Sequence, residues 1–194
     1  TSAFEKQDQI GVYMTGHGIP LEVAGNFLNN ERLTFDGTKW NPARKLYWDE
    51  GSFDVFAYYP YIPSPSGVDD LPFSVALDQS VTSTDSGLDG YEASDFLWAT
   101  DQNVTASDSP VSLSFKHRMS KMVVRLMKGK DYDGDIPEDA EVYIHNTVPS
   151  ATIDLSVGIV TRNTHGTAQT IKAKKVNKTQ YTAIVVPQRL TNQD

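Results

Sequence analysis

The sequence predicts an all-β protein built from two tandem β-sandwich domains of Greek-key type. About a dozen short apolar segments recur along the chain of 194 residues, separated by Gly, Pro, Asp and Asn. The clearest segment, residues 111–117 (VSLSFKH), alternates strictly, so that Val111, Leu113, Phe115 and His117 share one face. Such a period of two is typical of a half-buried strand. No segment carries a firm helical pattern, so we expect strands and turns throughout.

The first half of the chain alternates between strand-like segments and turn residues. Gly37 after Asp36 is a hairpin signal, and three prolines after Tyr59 end the aromatic segment FDVFAYY. Residues 21–30 are ambiguous, because apolar residues there share a helical face whereas Gly25 weakens a helix. Residues 79–90 are polar and predict an exposed loop. The strands expected in this half lie at residues 9–14, 31–36, 39–40, 45–48, 53–59, 73–77 and 94–100.

The second half begins with the alternating segment and ends with a nearly continuous apolar one. The segment YTAIVV at residues 181–186 predicts a central sandwich strand. Lysines in residues 171–176 would discourage edge pairing of that strand. The strands expected in this half lie at residues 111–117, 122–127, 142–144, 153–157, 171–176 and 181–186.

Two domains are expected, at residues 1–108 and 109–194, because residues 101–110 are mostly polar. About five strands follow Pro110, whereas a closed sandwich usually has about seven. We therefore expect the second sandwich to be incomplete or to have an open edge. An open edge can accept a strand of another chain by β-augmentation.

Charge and composition narrow the function classes. The net charge of −8 argues against nucleic-acid partners and against attachment to anionic lipid. The absence of cysteine excludes disulfides, thiolate metal sites and thiol nucleophiles. No apolar run approaches the roughly 20 residues of a membrane helix, and no signal-peptide pattern opens the chain. We accordingly expect Thr1 to be a mature or trimmed start.

No motif assigns a catalytic, cofactor-binding or metal-binding residue. The acidic segment from Asp131 to Glu141 is similar to a calcium loop, but its Gly134 comes at position four and Val142 at position twelve. We therefore expect a solvated turn. His17, His117, His145 and His165 show no metal-ligand spacing, and His117 is expected in the core. No nucleophile elbow, phosphate loop or marked carboxylate pair is present.

Aromatic residues in the first half offer a second interpretation. They would pack the sandwich core and its rim, or instead form a platform on which sugars stack. A platform requires at least two exposed and roughly coplanar rings. The residues concerned are Trp40, Tyr47, Trp48, Tyr58, Tyr59 and Tyr61.

Six ordered segments carry a resemblance that spans nearly the whole chain. The sharpest is VSLSFKHRMSKMVVRL at residues 111–126, with its phrase F-K-H-x-M-S-K. The others are QIGVYM (9–14), FDVFAYYPY (53–61), FSVALDQS (73–80), DFLWAT (95–100) and AIVVPQ (183–188). In this order they resemble the fimbrillin-like (Mfa-like) family of Bacteroidales surface proteins, which is related to type V pilus subunits.

The resemblance implies transthyretin-like sandwiches and a non-enzymatic lipoprotein of the outer membrane and cell surface. The protein would be a structural or adhesive subunit of a fimbria, or pilus. It also implies that a trypsin-like protease trims the N-terminus and that subunits assemble by β-strand exchange. The first strand, residues 9–14, and the second domain would take part. The partners would be other fimbrial subunits, together with host or microbial glycans or proteins in cell adhesion; membrane contact would require a lipid anchor that this chain lacks. The resemblance brings no catalytic residues and no cofactor.

Overall fold

The expected all-β, sandwich-type fold is confirmed. The computed structural model of the chain describes residues 3–106 and 110–189. In these two ranges the regular structure consists of fourteen strands and one 3₁₀ turn, Glu92–Ser94. The strands are β1 Gln9–Gly16, β2 Leu28–Phe35, β3 Trp40–Pro42, β4 Ser52–Tyr59, β5 Leu71–Ser74, β6 Leu97–Thr105, β7 Lys116–His117, β8 Ser120–Arg125, β9 Tyr143–Thr147, β10 Ser150–Asp154, β11 Ile159–Arg162, β12 Gln169–Lys172, β13 Lys174–Lys175 and β14 Gln180–Val185.

The largest sheet has six strands in the order β3-β2-β1-β4-β6-β7, all antiparallel to their neighbours. The two central strands are the most apolar ones, because both faces of a central strand are covered. In β4 every residue from Phe53 to Tyr59 is buried. The aromatic segment predicted at residues 53–59 is thus confirmed as a core strand.

Three smaller sheets have the orders β11-β10-β5, β12-β9 and β13-β14-β8. Strand β14 is the middle strand of its sheet, and its residues from Tyr181 to Val185 are buried. The continuous apolar run predicted a central strand here, and that prediction is confirmed.

The chain forms two compact units, each assembled from three separate stretches of sequence. One comprises Thr1–Pro72, Phe96–Arg118 and Ile153–Ile159, and the other comprises Phe73–Asp95, Met119–Thr152 and Val160–Asp194. The six-stranded sheet belongs to the first unit, and the sheets β12-β9 and β13-β14-β8 belong to the second. The boundary predicted between residues 108 and 109 lies outside the described residues.

In the first unit, Trp98 of β6 anchors the turn between β10 and β11. Its indole Nε1–H donates to the carbonyl of Leu155 at 2.7 Å. Gly158 lies against the indole with φ of +71°, and a Cβ at that position would lie 2.5 Å from Trp98 Cδ2. Only glycine satisfies both the left-handed backbone and this close approach.

Four local predictions were wrong. Residues 45–48 form no strand, because β3 ends at Pro42, which has no N–H for a longer ladder. Strand β6 continues through the polar residues 101–105, because pairing with β4 holds them extended. Residues 111–115 alternate in burial but form no strand. His117, expected in the core, is exposed because β7 is an edge strand.

Candidate assembly strands and binding surfaces

Strand β1, the strand expected to take part in assembly, is paired on both sides. Its register with β4 runs from Gly11↔Tyr58 to Gly16↔Phe53, and it also pairs with β2 along most of its length. Every residue from Ile10 to Thr15 is buried. Removal of β1 would therefore uncover a groove with a row of backbone groups on each wall, one from β2 and one from β4.

Gly11 allows β1 to lie close to the side chain of Tyr58. A Cβ on Gly11 would lie 2.3 Å from Tyr58 Cε1 and 2.5 Å from Asn30 Oδ1. The Tyr58 hydroxyl donates to Asn30 Oδ1 at 2.5 Å, and Asn30 Nδ2 donates to the carbonyl of Ile62 at 2.8 Å. Burial is the main reason that the pKa of Tyr58 is raised above its ordinary value. The phenol therefore stays neutral and acts as a fixed hydrogen-bond donor.

A carboxylate-centred cluster closes the C-terminal end of β1. Asp54, buried in β4, accepts hydrogen bonds from His17 Nδ1 at 2.8 Å, from the N–H of Asn103 at 2.9 Å and from the N–H of Gly18 at 3.0 Å. Burial alone would raise the pKa of Asp54, but these hydrogen bonds outweigh it and lower that pKa below the ordinary value. Asp54 thus joins β4 to the loop after β1 and to β6.

In the second unit, the side chain of Gln79 takes the place of a strand beside β14. Its Nε2 donates to the carbonyl of Ile184 at 2.7 Å, and its Oε1 accepts from the N–H of Ile184 at 2.7 Å. Gln79 is fully buried. Gln188 makes the same paired contact with the backbone of Val148, at 2.9 and 3.0 Å. Neither glutamine is predictable from the sequence, because an amide side chain adds nothing to a hydrophobic pattern.

The aromatic residues divide into buried and exposed groups. Tyr58 and Tyr59 are buried in β4, and Trp40 and Tyr61 are half-buried. Tyr47 and Trp48 remain 70% and 43% exposed, in the loop between β3 and β4. The Trp48 ring packs at 59° against Phe53, with centroids 5.9 Å apart, and Lys45 Nζ lies 5.2 Å from the Tyr47 ring centroid. Of the six rings, these two are the most exposed.

The candidate cation ligands are scattered. Asp131, Asp133 and Asp135 are exposed, and Asp135 pairs with Lys128 at 3.3 Å. His145 contacts Thr170, and His165 lies exposed in a turn. Within residues 3–106 and 110–189, no group of three His, Asp or Glu side chains is placed to hold a metal ion. In the same part of the chain, no helix is long and apolar enough to cross a membrane.

Several solved structures share this architecture. A candidate cell adhesion protein from Bacteroides uniformis has a TM-score of 0.73 at 24% identity, with 95% of this chain and 70% of that chain covered. One from Bacteroides ovatus has a TM-score of 0.70 at 20% identity, covering 97% and 71%. A fimbrial protein from Bacteroides ovatus has a TM-score of 0.55 at 23% identity, covering 96% and 38%.

These TM-scores establish a shared fold. No curated protein matches the sequence. The model of the fimbrillin-like family, in contrast, matches residues 1–194, the full length of the sequence. The chain belongs to the fimbrillin-like family.

Proposed function

We propose that the chain is a non-enzymatic fimbrial or adhesive subunit, displayed at the cell surface and tethered to the outer membrane by a lipid-bearing segment. Family membership supports the fimbrial or adhesive role. The solved structures that share the fold are described as fimbrial or candidate cell adhesion proteins. Other fimbrial subunits would be its partners.

We further propose that assembly proceeds by β-strand exchange through the position of β1, and the observation that carries this proposal is the central place of β1. The departure of β1 leaves backbone donors and acceptors of β4 without partners, and an incoming strand would satisfy them. The alternating side chains of that strand would fill the space that the side chains of β1 leave.

The distribution of basic residues determines how a trypsin-like protease would open this position. No Lys or Arg occurs between Lys6 and Arg32, so the loop that joins β1 to β2 offers no cleavage site. Arg44 and Lys45 are exposed in the loop between β3 and β4. Cleavage there would release β1, β2 and β3 together, and the edge of β4 would become the acceptor.

Limited digestion with trypsin, followed by mass spectrometry and by size analysis in mild denaturant, tests the proposal. We expect cleavage at Arg44 or Lys45, followed by discrete ladders that survive the denaturant. The variant R44Q/K45Q should not be cut in the loop between β3 and β4 and should stay monomeric, whereas K39Q, at the tip of the β2–β3 hairpin, should behave like the natural chain. If the cleaved protein stays monomeric and no strand is transferred to a partner, the exchange mechanism is wrong.

A second candidate function is glycan binding at Tyr47 and Trp48, favoured by the exposure of both rings on one loop. In that case, a glycan array should show a hit that Trp48→Ala abolishes and Trp40→Phe leaves unchanged. Binding that survives Trp48→Ala would show that the glycan does not bind at Tyr47 and Trp48.

A further inference from the structure

The outer edge of β8 is a candidate protein-binding surface. Strand β8 ends its sheet, and its only strand partner among the described residues is β14. The register is antiparallel and unbroken from Gln180↔Arg125 to Val185↔Ser120. The other side of β8 is paired with no strand of residues 3–106 and 110–189, and we call it the β8 edge.

The hydrogen bonds of β14 show which residues of β8 point outward. Ile184, opposite Lys121, directs both its N–H and its C=O to Gln79 and so away from β8. Leu126, in contrast, donates inward to the carbonyl of Thr179. In an antiparallel ladder these two kinds of position alternate. The backbone groups of Lys121, Val123 and Arg125 therefore point outward from the sheet.

The same three residues also present their side chains to solvent. Lys121 and Arg125 are exposed, and Val123 is 49% exposed. In the described part of the chain neither cation has an ion-pair or hydrogen-bond partner, unlike Lys172, Lys174 and the other paired lysines of this unit. The β8 edge thus offers a ladder of backbone donors and acceptors flanked by two free cations and an apolar side chain.

The charge of this region is opposite to that of the whole chain. Residues 111–130 contain six Lys or Arg and no Asp or Glu, whereas the chain carries −8. Cations on an edge strand repel a second copy of that edge and so limit aggregation. The same cations favour a strand that places carboxylates opposite them. Repulsion of copies and attraction of an acidic strand are two results of one arrangement.

We propose that the β8 edge binds an extended segment of a partner protein by β-augmentation, with carboxylates opposite Lys121 and Arg125 and an apolar residue opposite Val123. The pattern is acidic-x-apolar-x-acidic, because alternate residues share one face of a strand. The outward backbone favours a peptide over an anionic glycan, which has no matching ladder of N–H and C=O groups. This inference goes beyond the proposed function and does not depend on exchange through β1.

The test is a titration of the ¹⁵N-labelled chain with the acetylated, amidated peptide TETVTET, followed by NMR. We expect the amide signals of Lys121, Val123 and Arg125 to shift with saturation. The matched peptide TKTVTKT should bind at least about tenfold more weakly. TETVTET should bind equally weakly when the backbone N–H groups that would pair with the β8 edge are N-methylated. The variant K121E/R125E should reverse the preference and bind TKTVTKT more tightly.

Three results would overturn the proposal: no shift at these amides, equal binding of the N-methylated peptide, or an unreversed preference in K121E/R125E. A heparin oligosaccharide that binds the same residues more tightly than TETVTET would also overturn it, in favour of an anionic glycan. The chain needs no protease for this test, so failure of the β8 edge and failure of strand exchange are separate outcomes.

Discussion

At the scale of single residues, side-chain amides and one carboxylate do the work that backbone ladders do elsewhere. Gln79 satisfies both backbone groups of Ile184, 105 residues away in the chain. Asp54 collects three donors, two from the loop after β1 and one from β6. Such groups are costly to lose, because a buried donor or acceptor without a partner carries its full desolvation penalty.

Replacement of Gln79 by alanine should destabilise the chain by about 3 kcal/mol, because the N–H and C=O of Ile184 would both be buried without partners. The measurement is the free energy of unfolding in urea. Gln102→Ala, at an exposed position of β6, is the matched control and should change that free energy by less than about 0.5 kcal/mol. A small effect at Gln79 would mean that the sheet closes over the gap.

Replacement of Asp54 by asparagine should cost about 2 kcal/mol at pH 6, because hydrogen bonds to a charged acceptor are the strong ones. The pKa of Asp54 is lowered in the folded state, so the carboxylate stabilises the fold above the ordinary aspartate pKa of about 4. That contribution is lost as the pH falls through the lowered folded-state value. The stability difference between the natural chain and Asp54→Asn should therefore shrink below about pH 4, as urea unfolding at a series of pH values would show. A constant difference would contradict this assignment.

At the scale of elements, strands β1 and β4 owe their central place to close contacts as much as to hydrophobicity. Gly11 leaves room for the buried Tyr58 ring. The hydroxyl of Tyr58 is held in place by Asn30 Oδ1 and by the carbonyl of Ile62. The pair therefore fixes the distance between β1 and β4 along this part of the sheet.

Gly11→Ala should accordingly destabilise the first unit by about 3 kcal/mol, since the new methyl group would overlap a ring that cannot move freely. Thermal unfolding, followed by circular dichroism, measures the effect. Gly129→Ala serves as the control, because a Cβ there meets nothing within 4 Å, and it should be nearly neutral. Equal stability of the two variants would show that Tyr58 can be displaced.

The elements that sequence analysis predicted well are those whose own residues determine them. The aromatic β4 and the apolar β14 are strands because their residues are buried on both faces. The polar residues 101–105 are a strand only because β4 lies beside them. The strand-like run at residues 122–127 predicted β8, but not which of its edges is free. Edges depend on pairing between distant residues, such as Gln180 with Arg125.

At the scale of the whole molecule, the absence of cysteine makes the chain a clean host for an engineered crosslink. The pair Val12↔Ala57 joins β1 to β4. Tyr61 donates to the carbonyl of Gln9, and His17 donates to that of Ser52, so odd-numbered residues of β1 bond to β4. Val12 is thus in a non-hydrogen-bonded pair, whose short Cα separation suits a disulfide.

The oxidised variant V12C/A57C should resist ladder formation after trypsin treatment, because β1 cannot leave β4. Reduction with dithiothreitol should restore the ladders. Size analysis in mild denaturant, before and after reduction, measures both states, and the single variant V12C is the control. Ladders of the oxidised double variant would show that assembly does not require β1 to depart.

The paired contacts of Gln79 and Gln188 with the backbone have a consequence for how such a molecule changes over generations. To widen a sheet by a strand, evolution must insert a whole segment that fits the register. A glutamine that completes the hydrogen bonds of one buried residue arises or disappears with a single codon change. A change in one codon therefore determines whether the backbone beside β14 is paired or unpaired at this position. Relatives of this chain can differ there without any rearrangement of their strands.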